Sequence, residues 1–141
     1  MGKRPVRAGA IGNVQSKDQR LPPGLRVLMV EDEPLIAMDG EATLRSLGVA
    51  HVACARSLAD GLRIVEEESF DVALLDLQLD KDTSLPIAHR LRELGVPFGF
   101  LTGYVGDVIP DEFRDQPMVP KPFNTSQIVG LLHVLLEQKR F

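Results

Sequence analysis

From Leu25 onward, short apolar runs alternate with stretches in which apolar residues recur every three or four positions. The runs are RVLMVE (26–31), AHVAC (50–54), DVALLD (71–76), PFGFL (97–101) and PMVP (117–120). The first and third are nearly continuous, as strands covered on both faces by helices must be. Helices are predicted between them. Pro34 suits a first helical position and Gly48 marks an end near residue 47, with Ile36, Leu44 and Leu47 facing the core. Ser57 caps a second helix, with Asp60 three residues on, Leu58, Leu62 and Val65 as its stripe, and Glu66, Glu67 and Glu68 in solvent. A third spans 85–94, with Ile87, Leu91 and Leu94 inward and Gly95 behind it. The last spans 125–138, capped by Asn124, with Gln127 three residues later. Between 103 and 115, Gly103, Gly106 and Pro110 leave room only for a short or irregular helix. The α/β pattern is (βα)5, which predicts right-handed crossovers and a doubly wound, five-stranded parallel sheet.

Composition narrows the class. The chain has 141 residues, 44% hydrophobic and 26% charged, enough for one domain with a core. Its one cysteine, Cys54, excludes an intramolecular disulfide and fits a reducing cytoplasm. No apolar run reaches the roughly 18 residues of a membrane span, and no signal-peptide core opens the chain. Lys3, Arg4, Arg7, Lys17 and Arg20 oppose Asp18 alone in residues 1–24, so this flexible tail is basic. Residues 25–141 carry more than the whole net charge of −4. An acidic folded part argues against direct nucleic-acid binding.

Ligands of open α/β sheets bind beyond the carboxyl ends of the strands. Glu31 and Asp32 stand at the end of the first strand, Asp76 at the end of the third, Thr102 at the fourth and Lys121 at the fifth. Hard carboxylate oxygens suit Mg²⁺. A spared carboxylate such as Asp76 is then a candidate nucleophile toward phosphorus, with Lys121 and Thr102 placed to meet phosphoryl oxygens. Singly, each residue has a plainer reading: a helix cap, a turn residue, a solvated charge. Together at four strand ends they form a constellation. Lys121 lies between Pro120 and Pro122, and such a run is a candidate for a cis bond.

This constellation resembles the receiver domain of two-component response regulators. The likeness spans about residues 25–139 and rests on Glu31-Asp32, Asp76, Thr102 and Lys121-Pro122-Phe123. It implies a flavodoxin-like strand order, 2-1-3-4-5. It also implies that Asp76 accepts a phosphoryl group from a sensor histidine kinase. Mg²⁺ would be held by Glu31, Asp32, Asp76 and the backbone carbonyl of Gln78, with Thr102 and Lys121 on the phosphoryl group. The protein would then be a phosphoacceptor rather than an enzyme. FLTGY resembles a subgroup with a Thr-Gly-Tyr motif after the fourth strand, whose members serve kinases of the HWE or a related type in stress signalling.

Two departures stand out. The family's switch aromatic on the fifth strand is replaced by Met118, for which Tyr104 or the 103–115 loop would have to substitute. No output domain follows the last helix, so signalling by protein contact or by relay to a histidine phosphotransferase or another regulator is expected. In that helix Ile128, Val129, Leu131, Leu132, Val134, Leu135 and Leu136 exceed one stripe. That fits either a wide stripe at a sheet edge or a homodimer or partner surface. DKDTS (80–84) superficially resembles a haloacid-dehalogenase motif but does not end the first strand. GAIGN (9–13) follows no strand, which argues against a dinucleotide site. His51, His89 and His133 lack metal-ligand spacing and read as helix or loop residues.

Overall fold

The computed structural model describes residues 20–103 and 109–139. Most of the basic tail, and Tyr104 with it, lies outside them. Five strands form one parallel sheet: β1 (Arg26–Val30), β2 (His51–Ala55), β3 (Val72–Asp76), β4 (Phe98–Thr102) and β5 (Met118–Pro120). Their order is β2-β1-β3-β4-β5, as the resemblance to receiver domains implies. Four helices connect and cover them: α1 (Pro34–Ser46), α2 (Leu58–Glu67), α3 (Leu85–Leu94) and α4 (Thr125–Lys139). Between β4 and β5 the described residues hold a single 3₁₀ turn, Asp111–Phe113, in keeping with the reduced helix expected there.

Alternation along the strands divides the core in two. Leu28, Val30, Leu75 and Phe100 face α2 and α3, while Val27, Met29, Leu74 and Leu101 face α1 and α4. All five residues of β3 are buried, as befits the central strand. The caps form as expected. Ser57 Oγ accepts the Asp60 N–H at 3.1 Å. Asn124 and Gln127 form a reciprocal box, with Oδ1 accepting the Gln127 N–H at 2.8 Å and Oε1 the Asn124 N–H at 2.9 Å. The Lys121–Pro122 bond is cis.

Other expectations need correcting. The buried face of α1 is Ala37, Gly40 and Leu44, with Ile36 only half-buried. Its small residues bring α1 close to β1: a Cβ on Gly40 would run into Met29 Sδ and Cε. Leu94 is 43% exposed rather than inward, and Ala88 is buried on α3 instead. Glu68 is not a solvent residue. It pairs with Arg26 at 3.2 Å and with His51 Nε2 at 2.7 Å, and His51 opens β2 rather than lying in a loop. The stretch after β3 also holds a short antiparallel hairpin, Gln78–Leu79 with Asp82–Thr83, for which the sequence pattern gave no strand.

Candidate functional site

Parallel strands carry their C-terminal residues to one edge of the sheet, and the site is assembled there. β1 runs one residue past its last ladder position: the Glu31 N–H donates to Ala55 O at 3.0 Å, which turns the Glu31 side chain inward. Asp76 closes β3 opposite Leu101 of β4. Thr102 closes β4 opposite Pro120, and its carbonyl accepts the Lys121 N–H at 2.8 Å. Four separate strand ends thus bring Glu31, Asp32, Asp76, Thr102 and Lys121 into one region.

Lys121 is the centre of this arrangement. Its Nζ stands 3.1 Å from Glu31 Oε1 and 3.2 Å from Asp76 Oδ2. The Glu31 side chain is wholly buried, and its second oxygen accepts the Glu33 N–H at 3.1 Å. Such a buried carboxylate is tolerable only because both oxygens are engaged. Glu33 itself is exposed at the start of α1, where negative charge suits the helix dipole.

Burial, reinforced by the negative charge of Glu31, raises the Asp76 carboxyl to about 7 against the pull of Lys121. Lys121 is raised too: burial opposes its charge, but Asp76 and Glu31 more than compensate. Asp32 is half-exposed, and one carboxylate oxygen each from Glu31, Asp32 and Asp76 lies within 4.8 Å of the others. Three hard oxygen donors at this spacing, open to solvent on one side, fit Mg²⁺ as a group. Gln78 opens the hairpin two residues past Asp76. Its exposed amide donates to Asp80 O at 3.3 Å and Asp82 O at 3.1 Å, so the hairpin braces its own turn.

Sequence reasoning assigned Lys121 to an incoming group and missed that it also neutralises Glu31 and Asp76. The signal was the excess of carboxylates over cations at the strand ends. It also missed a cleft of about 530 Å³ beside the site, between α1 and the segment after β5, bordered by Leu35, Ile36, Lys121 and Phe123. Leu35 and Met38, 78% and 64% exposed, stand on the same helix.

Comparison with known proteins places this geometry. Residues 27–133 match the model of the response regulator receiver domain. The chain belongs to that family. Receiver domains act in two-component systems, where phosphorelay and Mg²⁺ at an acidic pocket are typical, and they interact with histidine kinases and other regulators. This receiver domain is 32% identical over 111 residues to the phyllosphere-induced regulator PhyR of Methylorubrum extorquens, covering 75% of this chain and 41% of PhyR. The chain spans about half, or less, of the length of the curated relatives it matches. It also resembles the solution structure of SdrG from Sphingomonas melonis Fr1, with TM-score 0.73 and 37% identity over 82% of this chain and 99% of SdrG. A BeF3-activated conformation of SdrG from Pseudomonas melonis Fr1 aligns at TM-score 0.69, with 37% identity over 82% of this chain and 99% of that one. Among the described residues no helix is long and apolar enough to cross a membrane.

Proposed function

We propose that Asp76 accepts a phosphoryl group from a phosphohistidine of a sensor kinase. An Asp76 oxygen attacks phosphorus, the P–N bond breaks, and the imidazole leaves. The observation that carries this reading is the Lys121 ammonium, held between Asp76 and Glu31 at the sheet's carboxyl edge. As Asp76 passes from carboxylate to acyl phosphate, Lys121 is already within reach of the oxygens it gains. Thr102, whose carbonyl accepts the Lys121 N–H, would offer its hydroxyl to the phosphoryl group. Glu31, Asp32, Asp76 and the Gln78 carbonyl would hold Mg²⁺, which when bound neutralises carboxylate and phosphoryl charge.

Residues 25–141 act as the receiver and 1–24 as a basic tail. Output runs through protein contacts or relay to a phosphotransferase or another regulator, in the cytoplasm, with a homodimer formed through α4. The Thr102-Gly103-Tyr104 motif and the likeness to SdrG support the Thr-Gly-Tyr subgroup and a kinase of the HWE or a related type. The cleft beside Lys121, flanked by exposed Leu35 and Met38, offers that kinase an apolar foothold next to the site.

The test is incubation with Mg²⁺ and acetyl phosphate, followed by intact mass. One acid-stable, base-labile adduct is expected, and it disappears in Asp76→Asn. An adduct that persists in Asp76→Asn, or none with any phosphodonor or kinase, refutes the assignment.

A further inference from the structure

The hairpin that follows β3 is anchored at its base and strained at its tip. Leu77, just before it, is buried, and its backbone is held on both sides. Its N–H donates to Leu101 O at 3.1 Å, and its carbonyl accepts the Ser84 N–H at 3.0 Å. Gln78 then stands opposite Thr83, and Leu79 opposite Asp82. In an antiparallel ladder, hydrogen-bonded and non-hydrogen-bonded pairs alternate. Leu77 and Ser84 share a bond, so Gln78 and Thr83 form a non-bonded pair. The Gln78 carbonyl is therefore directed away from the hairpin's other strand. This is the carbonyl assigned above to Mg²⁺, and its direction depends on how firmly the hairpin closes.

Closure is costly at the tip. Only Asp80 and Lys81 join the paired residues Leu79 and Asp82. Asp80 takes a φ of 52°, the one positive φ of a non-glycine residue among the described residues. Glycine adopts that conformation freely, whereas a residue with a Cβ keeps it only where its surroundings hold it there. Asp80, Lys81 and Asp82 are all exposed, so burial does not hold the tip. The Gln78 side chain spans it instead. Its amide nitrogen donates to Asp80 O at 3.3 Å and to Asp82 O at 3.1 Å. One residue thus carries both the bond that fastens the strained turn and the carbonyl whose direction the turn controls.

We propose that Gln78 is a positioning residue for Mg²⁺: its side-chain amide clamps the Asp80–Lys81 turn and thereby fixes its own backbone carbonyl as a ligand. This inference rests on the assignment of that carbonyl to the metal under the proposed function.

The test is a Mg²⁺ titration of the full chain followed by backbone amide shifts, with the Gln78 ¹³C carbonyl shift recorded alongside. Gln78→Ala should bind Mg²⁺ on the order of tenfold more weakly. Its urea midpoint without Mg²⁺ should stay close to wild type, as for other exposed positions. Asp80→Gly removes the need for a clamp, because glycine takes positive φ at no steric cost. The loss caused by Gln78→Ala should therefore largely vanish when both proteins carry Asp80→Gly. Comparing within that background cancels the charge that Asp80→Gly removes. Unchanged affinity in Gln78→Ala overturns the clamp. So does an equal loss in both backgrounds, which would make the side-chain oxygen itself a ligand. A metal-free midpoint that falls with the affinity would leave Gln78 a structural residue only. A wild-type Gln78 carbonyl shift that ignores Mg²⁺ while the Asp76 carboxylate responds refutes the ligand assignment beneath the proposal, not the clamp on the turn.

Discussion

Lys121 Nζ lies 3.2 Å from Asp76 Oδ2, although 45 residues separate the two in the chain. The same ammonium neutralises buried Glu31. Lys121→Ala leaves two buried carboxylates facing each other and should destabilise the metal-free protein by about 3 kcal/mol near pH 8. Protonation relieves the repulsion, so the loss should shrink toward pH 5, and added Mg²⁺ should restore part of it. Urea midpoints with and without Mg²⁺ check this; a loss independent of both pH and metal would show that Lys121 serves packing alone.

Asp76 gives the metal-free protein a pH dependence of defined sign. Its folded value, about 7, is above its ordinary 3.8, so the folded state holds this proton more tightly than the unfolded chain does. The resulting stability is complete below about pH 4 and is lost as pH rises to about 7. Asp76→Asn should flatten that slope and be more stable than wild type by about 1–2 kcal/mol at pH 8. Chemical denaturation across this range decides it; an unchanged slope in Asp76→Asn assigns the effect to another group.

After burial, Glu31 is the largest influence raising Asp76. Glu31→Gln should therefore move the Asp76 carboxyl back toward its ordinary range, as read by ¹³C chemical shift against pH. The same variant should bind Mg²⁺ more weakly, on the order of 10–100-fold, by calorimetry. An unmoved Asp76 titration would mean that burial alone sets its proton affinity.

Phe113 pins the connection between β4 and β5. It is fully buried, edge-on to Phe98 and Phe100 at 5.9 and 6.0 Å, with the Arg92 guanidinium 4.3 Å above its ring. Phe113→Ala should cost about 3–5 kcal/mol and Phe113→Leu less than about 1.5. Thermal unfolding gives both. Equal costs would show that the stacking and the cation contact, which both variants lose, outweigh the bulk of the ring.

What could be read from the chain alone follows from the range over which each signal acts. Caps and helix starts are local, so Ser57 with Asp60, Asn124 with Gln127, and Pro34 were legible. The parallel sheet followed from alternation, its strand order from the resemblance to receiver domains, and the site from asking what stands at each strand's end. Contacts between distant residues were not legible. Gly40 reads as a weak spot in a helix until Met29 is seen filling the space of its missing side chain. Glu68 reads as the end of a solvated acidic run until Arg26 and His51 arrive beside it. The hairpin at 78–83 has no alternating apolar pattern, because its two-residue strands bury only Leu79.

The brevity of β5 bears on solubility as well as on chemistry. It is an edge strand of three residues, and its last, exposed Pro120, has no N–H to offer a neighbour. Pro117 precedes it and Pro122 follows. An open sheet edge invites pairing with other chains, and proline-flanked, short strands are poor templates for it. The segment that delivers Lys121 to the carboxylates thus also guards the sheet against growing sideways into aggregates.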